Sequence, residues 1–120
     1  MTEDALKTDA VALKETYGEM SIAKPAGGAT LIRISDAPLP KGCTPSSTPA
    51  LLVIPGQGRP VLYVKPKLKL SNGVEPRSTS VVTVEGEEWM QFSYNFPWDE
   101  NTNSLVQFVA AGLRRFAKLE

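Results

Sequence analysis

The stretch of this 120-residue chain best supplied for chemistry is "GEEWMQFSYNFPWDENTNSLVQFVAAGL", residues 86 to 113. It sets Trp89, Phe92, Tyr94, Phe96 and Trp98 close together, although aromatics make up only 8% of the chain. Ser93 stands among these rings. A serine hydroxyl is a weak nucleophile and needs an adjacent base. Glu87, Glu88 and Asp99 are near in sequence, and the Asn95 amide could donate to an oxyanion. From the residues alone the simpler reading of Ser93 is a strand-end hydroxyl bonded to backbone. The simpler reading of Trp89, Phe92, Phe96 and Trp98 is packing, over the joint between a last strand and a C-terminal helix. Rings left exposed would form a protein-binding patch instead.

The missing residue types restrict the chemistry further. The chain has no histidine. A Ser-His-Asp or Cys-His site within it is therefore excluded, and any base must be Asp, Glu, Lys or Tyr. With no His and one Cys, a structural zinc site is not expected, and no cofactor is expected either. Cys43 is the only thiol. A thioester carrier needs an exposed thiol of lowered pKa. Lys41 is near enough in sequence to help, but the loop position of Cys43 favours a bystander. A single Cys also excludes an intrachain disulfide framework and fits a reducing cytoplasm.

At this length, with 42% hydrophobic and 22% charged residues, one soluble domain spanning 1–120 is expected, with its own core. Thirteen basic and thirteen acidic residues cancel. No strong field is available to hold a polyanion, so nucleic acid is not an expected partner. Apolar runs such as "ALLVI" at 50–54 are far short of a membrane span. "MTEDALKTDA" lacks the basic and apolar regions of a signal peptide. A cytoplasmic location without a membrane partner is the expectation.

Several elements must position the aromatic stretch. Leu6, Ala10, Leu13 and Tyr17 recur on one helical face, which ends before Gly18. "KPAGG" at 24–28 breaks the chain. "ATLIRIS" at 29–35 alternates as a strand whose inner face is left open. "DAPLPKGCTPSSTP" at 36–49 reads as a Pro-rich loop. "ALLVIP" at 50–55 is apolar on both faces, as in a central covered strand. "VLYV" at 61–64 is a further strand. Pro66 and Pro76 exclude a regular central strand between them, and Asn72-Gly73 signals a turn. "SVVTVEGEEWMQFS" reads as two strands with Glu85-Gly86 near the bend. Leu105, Phe108, Val109, Gly112, Leu113 and Phe116 form the stripe of a final helix. Asn101, Thr102 or Asn103 could cap it. The "KPKLK" run at 65–69 reads as a solvated edge that resists stray strand pairing, or as a contact for an acidic partner. The order gives an α+β domain: an N-terminal helix, an antiparallel meander of four to five strands, and a C-terminal helix packed on one face.

"APLPKGCTPSSTPALLVIP", "LYVKPKLKLSNG", "EEWMQFS" and Pro97-Trp98 with a later Leu, taken in order, resemble the prokaryotic ubiquitin-conjugating-enzyme-like proteins. These are the bacterial family E of the conjugating-enzyme superfamily. The match covers roughly residues 30 to 118, and no single motif in it is decisive. The resemblance implies a UBC-like fold. It also implies partners: a ubiquitin-like protein and its activating enzyme, with an isopeptidase encoded nearby. Conjugating enzymes carry a Cys after the meander, following His-Pro-Asn; here "EPRSTSVVTVEGEEWMQF" keeps only Pro76. The family more often ends its Trp-rich segment in Ser-Arg-His. This chain has Ser93-Tyr94-Asn95, so Ser93 matches and Asn95 stands at the His position. A Tyr is more usual where Cys43 stands, and the Tyr-Pro turn is replaced by "GQGRP", which retains Pro60. The implied roles are an oxyester carrier acting through Ser93 and Asn95, or a non-catalytic adaptor of the same fold. An unrelated structural α+β domain is the third reading. Lys7 and Lys14, on the polar face of the first helix, and Trp98 are the implied partner contacts.

Trp98 follows Pro97 and precedes the candidate caps, the place of a pin between loop and helix. Trp98→Ala is expected to cost about 3–5 kcal/mol in a urea titration, as for a buried aromatic truncation. A loss below about 1 kcal/mol moves the ring to a binding patch.

Overall fold

The computed structural model describes residues 3–24, 28–43, 45–55, 60–66, 69, 79–84, 86–92 and 104–114. In chain order the elements are α1 (Glu3–Tyr17), β1 (Met20–Ala23), β2 (Thr30–Pro38), β3 (Ser47–Ile54), β4 (Val61–Val64), β5 (Thr79–Val84), β6 (Glu87–Phe92) and α2 (Leu105–Arg114). The expected α+β class holds, with a helix at each end of the order and an antiparallel sheet between them. The sheet has six strands in the order β1-β2-β3-β4-β6-β5, not four or five.

It is also not a simple meander, because β4 pairs with β6 and leaves β5 at the edge. Burial explains the choice. β6 carries Trp89 and Met90, adjacent residues on opposite faces, and both are buried. A strand that hides both of its faces belongs inside the sheet. β5 carries Ser80, Val81 and Thr83, which are exposed. The β5–β6 hairpin turns where Val84 stands opposite Glu87, at Gly86, whose φ of 79° suits glycine.

The stripe foreseen on α1 is the one that packs. Leu13 is fully buried, Ala10 is buried, and Leu6 and Tyr17 pack partly against the same core. Gly18 ends the helix at φ 81°, donating its N–H to the Lys14 carbonyl at 2.8 Å. This is the left-handed stop that glycine makes at little cost. β1 was not foreseen. Its four residues are mostly exposed, so they carry little hydrophobic signal.

β2 and β3 each run further into the expected Pro-rich loop than periodicity suggested. Ile34 pairs with Ala50, but the next pair is Ala37 with Thr48. Ser35 and Asp36 thus stand against Pro49 alone, a β-bulge. Proline has no N–H to give a ladder, and a bulge is where an inner strand tolerates one. The bulge also switches the parity of β2. Ile32 and Ile34 face the core before it, and Ala37 and then Leu39 face it afterwards. What remains of the loop closes through Leu39 N–H to the Ser46 carbonyl at 2.9 Å.

Both helices cover one sheet face. Leu13 of α1 and Leu105, Phe108, Val109 and Leu113 of α2 share a core with Ile32, Ile34, Ala50, Leu52, Ile54, Leu62, Val64 and Met90. α2 begins one residue after the expected caps, at a reciprocal capping box. Ser104 Oγ accepts from the Gln107 N–H at 3.2 Å, and Gln107 Oε1 accepts from the Ser104 N–H at 2.9 Å. The Leu105 N–H, which no helical carbonyl can serve, donates to Asp9 Oδ2 of α1 at 3.1 Å. At the far ends of the helices, burial pushes the Tyr17 hydroxyl pKa up and Arg114 pulls it partly back. The helices therefore run side by side in the same sense.

Asp9 is thus a tie across 96 residues of chain. Asp9→Ala is expected to cost about 1.5–3 kcal/mol in urea unfolding, the range for a lost bond to a charged acceptor. Asp9→Asn, which keeps an acceptor, should recover part of the loss.

Candidate functional site

On the sheet face away from the helices, the strands place a second, smaller cluster. Leu31, Leu51 and Trp89 are buried there, with Val53, Tyr63, Val82 and Val84 packed partly against them. Alternation puts them together: Leu31 and Arg33 on β2, Leu51 and Val53 on β3, Tyr63 on β4, Trp89 on β6 and Val82 on β5. Trp89 is the anchor, at 1% exposure.

Two cations lie over its ring. Lys65 Nζ is 4.2 Å from the ring centroid and Arg33 Cζ is 5.4 Å away. Both are bridged by one carboxylate. Glu87 Oε2 accepts from Lys65 Nζ at 2.7 Å, and Glu87 Oε1 accepts from Arg33 Nη1. Lys65 Nζ also reaches the Glu88 carbonyl at 3.4 Å. Hydrogen bonds from Lys65 first and Arg33 second hold the Glu87 carboxyl below its ordinary pKa. Each part is modest alone. Ion pairs as exposed as these are screened by water, and exposed cation–π contacts are weak. Together they fix a charged frame around the indole.

This frame was not foreseen. Arg33 sits inside an otherwise apolar strand, and that interruption was its only signal. Lys65 belongs to the "KPKLK" run, and Glu87 was noted only as a neighbour of Ser93. The frame's carboxylate is engaged by both cations and favoured in the ionised form, so it is a poor general acid. Among the described residues no group of three or more His, Cys, Asp or Glu could hold a metal.

Lys7 and Lys14 are exposed on α1. Seven residues apart, they share a helix face two turns from each other. Cys43 is buried at 6% exposure within the helix-side core, its N–H donating to the Pro40 carbonyl at 3.2 Å. Ser93, Asn95 and Trp98 lie outside the described residues, beginning directly after the end of β6 at Phe92. No helix among the described residues is long and apolar enough to cross a membrane. Comparison of the chain with protein-family models, curated proteins and solved structures returned no match.

A carboxylate whose folded-state pKa is depressed adds stability above its unfolded value, about 4.3 for glutamate. That stability is lost as pH falls through the folded value. The urea midpoint of the wild-type protein should therefore fall more steeply below about pH 4.3 than that of Glu87→Gln. Parallel pH profiles would show that the carboxylate bridge contributes nothing.

Proposed function

We propose that this chain is a ubiquitin-conjugating-enzyme-like protein of a bacterial ubiquitin-like modification pathway, and that it carries the modifier as an oxyester on Ser93. The observation that carries the reading, beside the sequence resemblance, is the burial of Cys43. A thioester carrier must present its sulfur to a bulky partner. The only thiol here packs with Leu39 and the helix-side core. With histidine absent as well, an oxygen nucleophile is the remaining route to a covalent carrier.

The step balances without a further reagent. The modifier arrives as a thioester on its activating enzyme. Ser93 Oγ attacks the thioester carbonyl, a C–O bond forms, and the C–S bond breaks. The departing thiolate takes up the hydroxyl proton, relayed by a carboxylate base. Asn95 donates to the carbonyl oxygen as charge develops on it. Glu88, exposed near the start of β6, and Asp99, which lies outside the described residues, are the other acids near Ser93 in sequence. Lys7 and Lys14 offer the exposed basic face to the activating enzyme or the modifier.

One observation favours the second reading, a non-catalytic adaptor of the same fold. Glu87, one of the acids near Ser93 in sequence, opens β6 while Ser93 follows its end, and it is engaged by Lys65 and Arg33. A carboxylate stabilised in this way is a poor proton acceptor.

Incubation with activating enzyme, modifier and ATP separates the readings. The carrier predicts an adduct that survives thiol reductant and is cleaved by hydroxylamine or mild alkali. It should vanish in Ser93→Ala and persist in Cys43→Ala. An adduct lost only in Cys43→Ala would overturn the placement at Ser93. Binding without any adduct would favour the adaptor, and Lys7→Glu with Lys14→Glu should then weaken binding measured by calorimetry.

A further inference from the structure

We propose that the outer edge of β5 pairs with β5 of a second copy of this chain, joining two six-stranded sheets into one across a two-fold axis. The inference rests on how differently the two sheet edges are built, and it is independent of the ubiquitin-like reading.

An edge strand offers unpaired N–H and C=O groups to any other strand, and proteins blunt such edges with shortness, charge, proline or bulges. β1 is blunted. It has four residues and is flanked by the exposed charges of Glu19 and Lys24. β5 is not. Its six residues, "TSVVTV", contain no charge, proline or glycine. Its register with β6 is unbroken from Thr79 to Val84, so no bulge turns the edge away. Among the described residues, no hydrogen bond reaches β5 from the outer side. Val81 is 55% exposed, and Val82 and Val84 are only half-buried although they belong to the Trp89 cluster.

The chemistry of the edge selects a second copy. Without charge, it gives nothing to choose an acidic or basic peptide by. Antiparallel self-pairing centred on Val82 sets Val82 against its own copy, Val81 against Thr83, and Ser80 against Val84. Most of these are β-branched pairs, which favour cross-strand packing. The axis runs perpendicular to the sheet, so the Trp89 clusters of both copies remain on one side and the valines become continuous. The chain's formal net charge is zero, so no long-range repulsion opposes association. A two-fold pair uses up both β5 edges and leaves only the two blunted β1 edges outside.

Sedimentation velocity over a concentration series from micromolar to millimolar tests this. Wild-type protein should move from the 13.0 kDa monomer to twice that mass and stop there. Val81→Lys and Thr83→Lys place charge on exposed β5 positions, and each should hold the protein monomeric with an unchanged circular dichroism spectrum. Ile22→Lys, at the 50%-exposed position of the opposite edge, should leave the dimer intact. Should one β5 variant fail to fold, the other decides. A wild-type monomer throughout the series, a dimer surviving the β5 variants, or a mass that grows beyond the dimer would each overturn the proposal.

Discussion

Ile32 and Ile34 can face the helices only while Ile32 stands opposite Leu52 and Ile34 opposite Ala50. The rest of the structure depends on that register. A slip of one residue would turn both isoleucines outward and drive Arg33 into the helix-side core. An unpaired charge there would cost several kcal/mol. The same register puts Arg33 on the far face, beside Trp89 and Glu87. The bulge at Ser35 and Asp36 then resets the parity, so that Ala37 and Leu39 rejoin the core and Pro49 needs no ladder partner. One pairing decides what is core, what is charged frame, and where the loop holding Cys43 begins.

The two sheet faces are held by different means. On the helix side, apolar residues from both helices and from β2, β3, β4 and β6 form the larger core, and Asp9 fixes where α2 starts. On the other side one indole does most of the burying, with Leu31 and Leu51. Its charged frame contributes less energy than its ring, because half-exposed pairs are screened by water. The frame holds Glu87, at the start of β6, between Lys65 and Arg33.

The possible chemistry is bounded by subtraction. No histidine is present, the sole thiol is buried, and the Glu87 carboxylate is engaged by two cations. The proposed covalent role accordingly needs an oxygen nucleophile, for which Ser93 is the candidate, and the proposed binding roles draw on the exposed residues of α1 and the β5 edge. Fold class alone does not choose between them, because function resides in sites built upon a fold.

Both helices were legible in the sequence because their stripes are strongly periodic: Leu6, Ala10, Leu13 and Tyr17 in one, Leu105 to Leu113 in the other. Two-sided burial of "ALLVI" was legible because no polar residue interrupts it. The start of α2 was legible in principle from Ser104 and Gln107, three residues apart before an apolar run, but the polar residues at 101–103 offered rival caps. β1 was not legible, since an exposed four-residue edge is held by its partner's hydrogen bonds and not by its own hydrophobicity. By itself, the sequence determined which helix faces and which apolar strand had to be buried and which reactions lacked their residues, because these follow from composition and local period. Only the tertiary structure decided that β6 lies inside β5, that Arg33 and Lys65 meet over Trp89, and that Asp9 serves Leu105. These are pairings between distant segments, and their partners are chosen by shared burial and register, which no local pattern encodes.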